Sequence, residues 1–373
     1  MRYTDILGLE YIKAHLKATV TNERIAHAQL FVGATGNGIL PLALAYARNI
    51  LCPSDLQGCH TQMVALAHPD VHFAFPVAST PTSGTKPTSD LFIKHWRSFL
   101  RTNPYGSLAD WYQMAGIEKK NAEIRVVEAQ AIMKKLSLKS YEGGFKILIV
   151  WAADRMNTEA SNKLLKLIEE PPNKTVILLL AEKEELVLNT IKSRCQILHV
   201  PKLSTDNLAS GLVDKFSITT SKAQSIARQA DGDFNKAIQF YENRNEDLQF
   251  ENWVVNWVRT AFQAKKKPAA IAELLDWSHQ IAGLNRETQK RFLNYCLEFF
   301  RQAMLLNYKA GAAVYFESAS GFDLKKLAPF ITGSRMLNIQ RELQDAIFHI
   351  DRNANGKVVL SDMAISLTRI IHS

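Results

Sequence analysis

Residues 30–40 read LFVGATGNGIL, an apolar run that enters a turn holding Gly33, Gly36 and Gly38 and leaves it through Ile39 and Leu40. A strand feeding a glycine-rich turn and then a helix is the frame of the phosphate-binding loop G-x-x-x-x-G-K-[ST], and Gly33 and Gly38 occupy its two fixed positions. Glycines there let backbone N–H groups turn inward around an anion, and the helix N-terminus adds a favourable dipole. Ile39 stands where the lysine belongs, and Leu40 where the serine or threonine belongs. Without them no ammonium reaches the outer phosphates and a magnesium ligand is missing. The degenerate loop is therefore expected to persist as a structural turn, with no functional cofactor on this chain. Pro41 suits the first turn of the helix, where its missing N–H costs nothing.

On both sides of that loop, short apolar runs alternate with helical patterns. Strands are expected at 29–32, 71–75, 146–151, 176–181 and 196–200, which predicts an α/β domain built on a parallel five-stranded sheet. The strand KILIV leads into Trp151, Ala152 and Ala153 before Asp154. The acid pair that would hold metal and orient water at such a strand end is thus absent, and Asp154 reads as a solvated or helix-capping residue. Residues 79–90, STPTSGTKPTSD, have nothing to bury and predict an exposed, mobile loop. With the aromatic-rich helical stretch that follows, 79–113 reads as an insertion on the sheet domain.

After Pro201 the strand pattern stops. The expected division is 1–201 for the α/β domain, 202–245 for a small helical domain and 246–373 for an all-α domain. In the last, Trp253, Trp257, Phe292, Phe299 and Phe300 recur at helical spacing and form a core stripe.

Composition sets the outer limits. A chain of 373 residues exceeds what one core serves, and 47% hydrophobic with 22% charged residues excludes disorder for most of it. No apolar run approaches the roughly 20 residues of a membrane span. Four scattered cysteines fit a reducing cytoplasm better than a disulfide scaffold. A balance of 45 Lys plus Arg against 36 Asp plus Glu, +9 in all, points to an anionic partner such as nucleic acid.

Four motifs carry a resemblance: IAHAQLFVG at 25–33, AHPDVHF at 67–73, NKLLKLIEEPP at 162–172 and TIKSRCQ at 190–196. Together and in this order they resemble bacterial clamp-loader subunits of the AAA+ class, over the whole chain. The resemblance implies an AAA+ sheet domain, a helical lid and a C-terminal helical collar that packs into a five-subunit ring. The lost lysine and acid pair make the chain similar to the family members that do not hydrolyse ATP. In the family, the arginine of the Ser-Arg-Cys motif crosses a subunit boundary into a neighbour's site. Arg194 would therefore act in trans on ATP and magnesium held by a gamma/tau-type subunit, with Ser193 orienting the turn. A planar, always-charged guanidinium suits the charge on a transferred phosphoryl group better than an ammonium does. The other reading of Arg194 is a surface ion pair. Cys195 reads as a buried packing residue. The implied partners are ATPase and delta-type subunits and, through the complex, the sliding clamp and primer-template DNA. Lys163 and Lys166 are exposed candidates for phosphate contacts.

The chain departs from the family pattern at several points. The lid arginine of the ATPase members is replaced by Asn235 in DGDFNKA, and only Cys52 and Cys59 remain of a four-cysteine zinc module. His60 or His68 would have to complete a metal site there. An irregular loop with free thiols and no metal is expected instead. DRNANGKVVLSD places Asp351, Asn353, Asn355, Gly356 and Asp362 at calcium-loop spacing. It has one acidic residue among its first six and no glutamate at position 12, so a helix-to-helix turn is the preferred reading. Two rival functions stay open: an active ATPase of the same fold, and a helical adaptor on a dead nucleotide-binding fold.

Overall fold

Five apolar runs become the strands β1 (Ala28–Val32), β2 (Val71–Ala74), β3 (Lys146–Trp151), β4 (Thr175–Ala181) and β5 (Gln196–His199). In the computed structural model they form one parallel sheet in the order β2-β3-β4-β1-β5. Residues 1–373 are described apart from 53–56, 142–143, 266, 268, 311–313, 315, 317, 319, 353 and 373. They divide into two units, Met1–Gln239 and Phe240–Ser373.

β4, the TVILLLA of the sequence, is buried along its whole length. Successive side chains of a strand point to opposite faces. Val176, Leu178 and Leu180 accordingly enter one core while Ile177, Leu179 and Ala181 enter another. The first core is covered by α1 (Glu10–Thr21), α2 (Ile39–Leu51), α3 (Gln57–Val64), α4 (Ile93–Thr102) and α5 (Leu108–Ala115). The second is covered by α6 (Val126–Ser137), α7 (Thr158–Glu169) and the single turn α8 (Asn189–Lys192). In α7 the Asn157 side chain caps the start by accepting from Ala160 N–H at 2.9 Å, and Pro171-Pro172 prevent continuation. Its buried face is Ala160, Ser161, Leu164, Leu167 and Ile168. The helices α9 (Thr205–Phe216), α10 (Thr220–Ala230) and α11 (Phe234–Glu242) follow the sheet.

Two expectations need correction. The strand foreseen at 71–75 ends at Ala74, because Phe75 leaves the ladder for Ser89. Its N–H donates to Ser89 Oγ at 3.0 Å and its carbonyl accepts from the same hydroxyl at 3.3 Å. The loop foreseen at 79–90 is also not exposed throughout: residues 81, 82 and 84–86 are, but Ser83 is half-buried, Pro87 and Ser89 are buried, and beyond the loop Trp96 is wholly so. Trp96 stacks on Phe75 with centroids 4.3 Å apart and meets Trp111 edge-on at 5.3 Å. The Trp111 indole N–H donates to the Pro76 carbonyl at 2.8 Å. Residues 79–113 thus supply the aromatic centre of the first core.

In the second unit, α12 (Arg244–Ala264), α13 (Ala269–Ala282), α14 (Arg286–Asn307), α15 (Gly333–Asp351) and α16 (Gly356–His372) enclose one core. The aromatic stripe of the sequence lies inside it: Phe292 meets Trp253 edge-on at 5.5 Å, and Phe300 meets Trp257 at 5.8 Å. Among the described residues no helix is long and apolar enough to cross a membrane.

Removal of the Trp96 side chain should cost about 3–5 kcal/mol in a urea titration of Trp96→Ala followed by circular dichroism. Trp96→Phe should cost less than Trp96→Ala, since it leaves a smaller void and the indole nitrogen has no hydrogen-bond partner to lose. Glu128 supports a pH prediction. It is buried, accepts from Ser89 N–H at 2.6 Å, and burial pushes its carboxyl up from 4.5 to about 7. The folded chain then holds a proton that the unfolded chain has released, so stability must fall as pH rises through that window. The fall should reach about 3 kcal/mol between about pH 5 and 8. It should disappear in Glu128→Gln, as read from melts across that range.

Candidate functional site

Between β1 and α2 the glycine loop turns through Gly36 (φ +74°) and Gly38 (φ +95°), in the left-handed region that favours glycine. Gly36 has a second reason to be glycine: a Cβ there would stand 1.7 Å from Asp233 Oδ1. The neighbouring Phe234 N–H donates to the Gly36 carbonyl at 3.0 Å. Asn37 is wholly buried, donating from Nδ2 to the Val200 carbonyl at 2.8 Å and accepting from Ile39 N–H at 3.2 Å. One of the N–H groups that a helix N-terminus would offer an anion is therefore held by the chain itself. Ile39 is half-buried and packs on the first core, which Leu40 joins outright.

Residues 103–110 lie across this loop. Tyr105 is buried, its hydroxyl accepts from Leu7 N–H at 3.0 Å, and its ring meets Phe234 edge-on at 5.0 Å. Asn103 Nδ2 donates to Asn235 Oδ1 at 2.5 Å, and Asn235 Nδ2 donates to Asp110 Oδ2 at 2.7 Å. Asn235, standing where the ATPase members are expected to carry an arginine, thus ties the start of α11 to α5. The remaining cavity, about 40 Å³, is lined by the loop, by 104–108 and by the residues that follow β3 and β4. That is room for a few waters. Among the described residues its lining contains the carboxylates Asp154 and Glu182 but no lysine or arginine. Asp154 is not solvated, contrary to the sequence reading. It is buried and accepts from Glu182 N–H at 3.3 Å, and burial raises its carboxyl above the ordinary range.

Arg194 sits on the turn between α8 and β5 and is exposed. Its Nε pairs with Glu169 Oε1 at 2.5 Å, and one terminal nitrogen donates to the Thr190 carbonyl at 3.0 Å and to Ser193 Oγ at 3.3 Å. Ser193 Oγ–H in turn donates to the same Thr190 carbonyl at 3.2 Å. The hydroxyl and the ion pair together hold the guanidinium in one direction. Cys195 is half-buried, and burial pushes its thiol up to about 11, so it is no nucleophile at neutral pH. Lys163 and Lys166 lie exposed on α7.

The other candidates do not converge. Cys52 and Cys59 are not free thiols: their sulfurs are bonded, with the Cα atoms 6.0 Å apart, a separation a disulfide spans. His60 accepts from Arg48 at 2.6 Å, and His68 Nδ1 accepts from Asp70 N–H at 3.2 Å. Among the described residues no three His, Cys, Asp or Glu gather as metal ligands would. Of the calcium-spaced residues, Asp351 ends α15 and pairs with Lys290 at 3.0 Å, and Gly356 starts α16. Asn353 lies outside the described residues.

Sequence reasoning missed Asn37, Asn103, Tyr105, Asp110, Asp233 and Glu169. Only Asn37, set between two glycines of the loop, and Asp233, just before a helix, carried a local signal.

The family model for DNA polymerase III, delta subunit, matches residues 8–204, more than half of the chain. The delta-prime subunit of DNA polymerase III from Bacillus subtilis is 25% identical over 60% of this chain and 61% of its own length. That from Escherichia coli is 23% identical over 55% and 58%. A DNA polymerase III gamma subunit from Buchnera aphidicola is 22% identical over 64% and 56%. The chain thus spans less than two thirds of the length of these relatives. With its parallel sheet and glycine loop inside the matched residues 8–204, the chain belongs to the DNA polymerase III delta-subunit family.

Proposed function

We propose that this chain is the non-hydrolysing member of its clamp loader. It would assist ATP-dependent placement of a sliding clamp on primed DNA and lend Arg194 to the ATP site of a neighbouring gamma/tau-type subunit. The observation that carries the first half is the lining of the loop cavity: two carboxylates, no cation, and the chain's own residues 104–108 lying against the glycines. A triphosphate entering there meets like charge and finds Ile39 N–H engaged by Asn37. The second half rests on Arg194, an exposed guanidinium aimed by Ser193 and Glu169 and bound to no other described residue except Thr190. Delta-type subunits, the clamp and primer-template DNA are the remaining proposed partners. Phosphate contacts from exposed lysines such as Lys163 and Lys166 would make DNA association salt-sensitive. Neither the active-ATPase reading nor the adaptor reading has a comparable observation behind it.

Two experiments separate these readings. The isolated chain, titrated with a fluorescent ATP analogue and magnesium, should give no saturable binding. The Ile39→Lys, Leu40→Thr double variant should not restore it, because Asp154, Glu182 and the 103–110 segment stay in place. Micromolar binding by the unaltered chain would establish the active ATPase instead. In a reconstituted clamp loader, Arg194→Ala should leave assembly intact by size-exclusion chromatography. Loss of a trans-acting arginine costs about 10³–10⁵ in rate at the site it serves, so clamp- and DNA-stimulated hydrolysis should drop sharply. Arg194→Lys should recover little of it. Unchanged hydrolysis in an intact Arg194→Ala assembly would remove the trans role.

A further inference from the structure

A second cavity has no part in the glycine loop or in Arg194. β2 is an edge strand bonded to β3 alone. Beside it lies a space of about 200 Å³, walled by β2, by the chain leaving α3, by α4 and by α6. Its apolar lining comes from Leu66, Val71, Phe73 and Ile93, and its polar lining includes Arg97 and Lys135. Arg97 Nε donates to the Leu66 carbonyl at 2.9 Å and Arg101 to that of Ala65 at 3.1 Å. These bonds fix α4 against the end of α3. Among the described residues they leave the terminal nitrogens of Arg97 without a hydrogen bond.

The surroundings are cationic and greasy at once. Lys94, Arg101, Lys134 and Lys139 are exposed on α4 and around the end of α6. Among the described residues of these elements the one exposed carboxylate is Asp90, which pairs with Lys135 at 2.5 Å. Leu91 is 58% exposed, Leu138 65% and Tyr141 81%, and the Tyr141 N–H is tied to Asp70 Oδ1 at 2.7 Å, beside the start of β2. Apolar side chains held out in water beside a cationic rim mark an interaction site rather than an inert surface.

We propose that this edge cavity docks an acidic, extended segment of a partner protein. One apolar side chain would enter between Val71, Phe73 and Ile93, and the flanking carboxylates would pair with Arg97, Lys135 and their neighbours. An edge strand suits an extended chain, and pockets beside it give such binding its side-chain preference. Single-stranded nucleic acid is the weaker match. Grooves for it use successive stacking aromatics, whereas among the described residues of this surface Tyr141 is the one exposed tyrosine, tryptophan or phenylalanine, with His95 the one exposed imidazole, and Asp90 would face its phosphates. The segment that sequence reasoning set aside as an insertion thereby acquires a task, and this inference does not depend on the role of Arg194.

The test uses the full chain and a fluorescein-labelled peptide of alternating glutamate and leucine, followed by anisotropy. Saturable binding that weakens with salt is expected. Lys135→Glu should weaken it by about tenfold. Lys94→Glu, on an exposed face where folding is not at risk, should weaken it in the same direction. Leu138→Ser should lower affinity without changing the salt dependence. Absence of saturable binding, or binding unchanged in both charge reversals, would overturn the proposal. So would displacement of the peptide by oligo-dT at equal concentration, which would make the surface one for nucleic acid.

Discussion

The first unit answers to a single strand that water does not reach. β4 is hydrogen-bonded on both edges and buried on both faces, so every backbone group must be paired and every side chain packed. Parallel pairing then points all the strands the same way. The chain leaving β1, β3 and β4 opens at one end of the sheet, which is where ligand sites of open α/β sheets form. Glycine loop, Asp154 and Glu182 meet there although they are far apart in sequence.

Two carboxylates and no cation line that end among the described residues, and two amides close it. Asn37 satisfies Ile39 N–H from within, and Asn235 bonds Asn103 and Asp110. Neutral amides satisfy buried donors and acceptors without bringing a charge that would need a counter-ion in a low dielectric. Asp233, just before α11, lies against Gly36, and the close approach needs a residue without a Cβ.

Sheet and helices were legible because their signals are local and periodic. TVILLLA offers no charged position to water, and Ser161, Leu164 and Ile168 recur at helical spacing on the inner face of α7. The missing lysine of the loop was equally plain. The partners of the loop were not. Tyr105, Asp110 and Asn235 come from segments with no shared pattern, and their meeting follows from how α5 and α11 pack. The burial within 79–113 was hidden for a related reason. Turn-rich composition describes most of 81–86, but says nothing of Trp96 and Trp111, whose place in the core depends on Phe75 and Trp151 elsewhere in the chain. The disulfide between Cys52 and Cys59 was hidden similarly, because cysteine counting speaks of compartments and not of which two sulfurs the end of α2 and the body of α3 bring together.

The ion pair between Arg194 and Glu169 sets a toll on mobility. Both side chains are about two-fifths exposed, and pairs in such surroundings contribute about 0–1 kcal/mol. If Arg194 serves a neighbour's phosphate as proposed, its guanidinium leaves a resting place that is well defined but shallow. Glu169 keeps the arginine from wandering over the surface while adding less than about tenfold to the difficulty of letting it go. Held by a deeply buried carboxylate, the same arginine would be an anchor. Held by Glu169, it stays free to turn away.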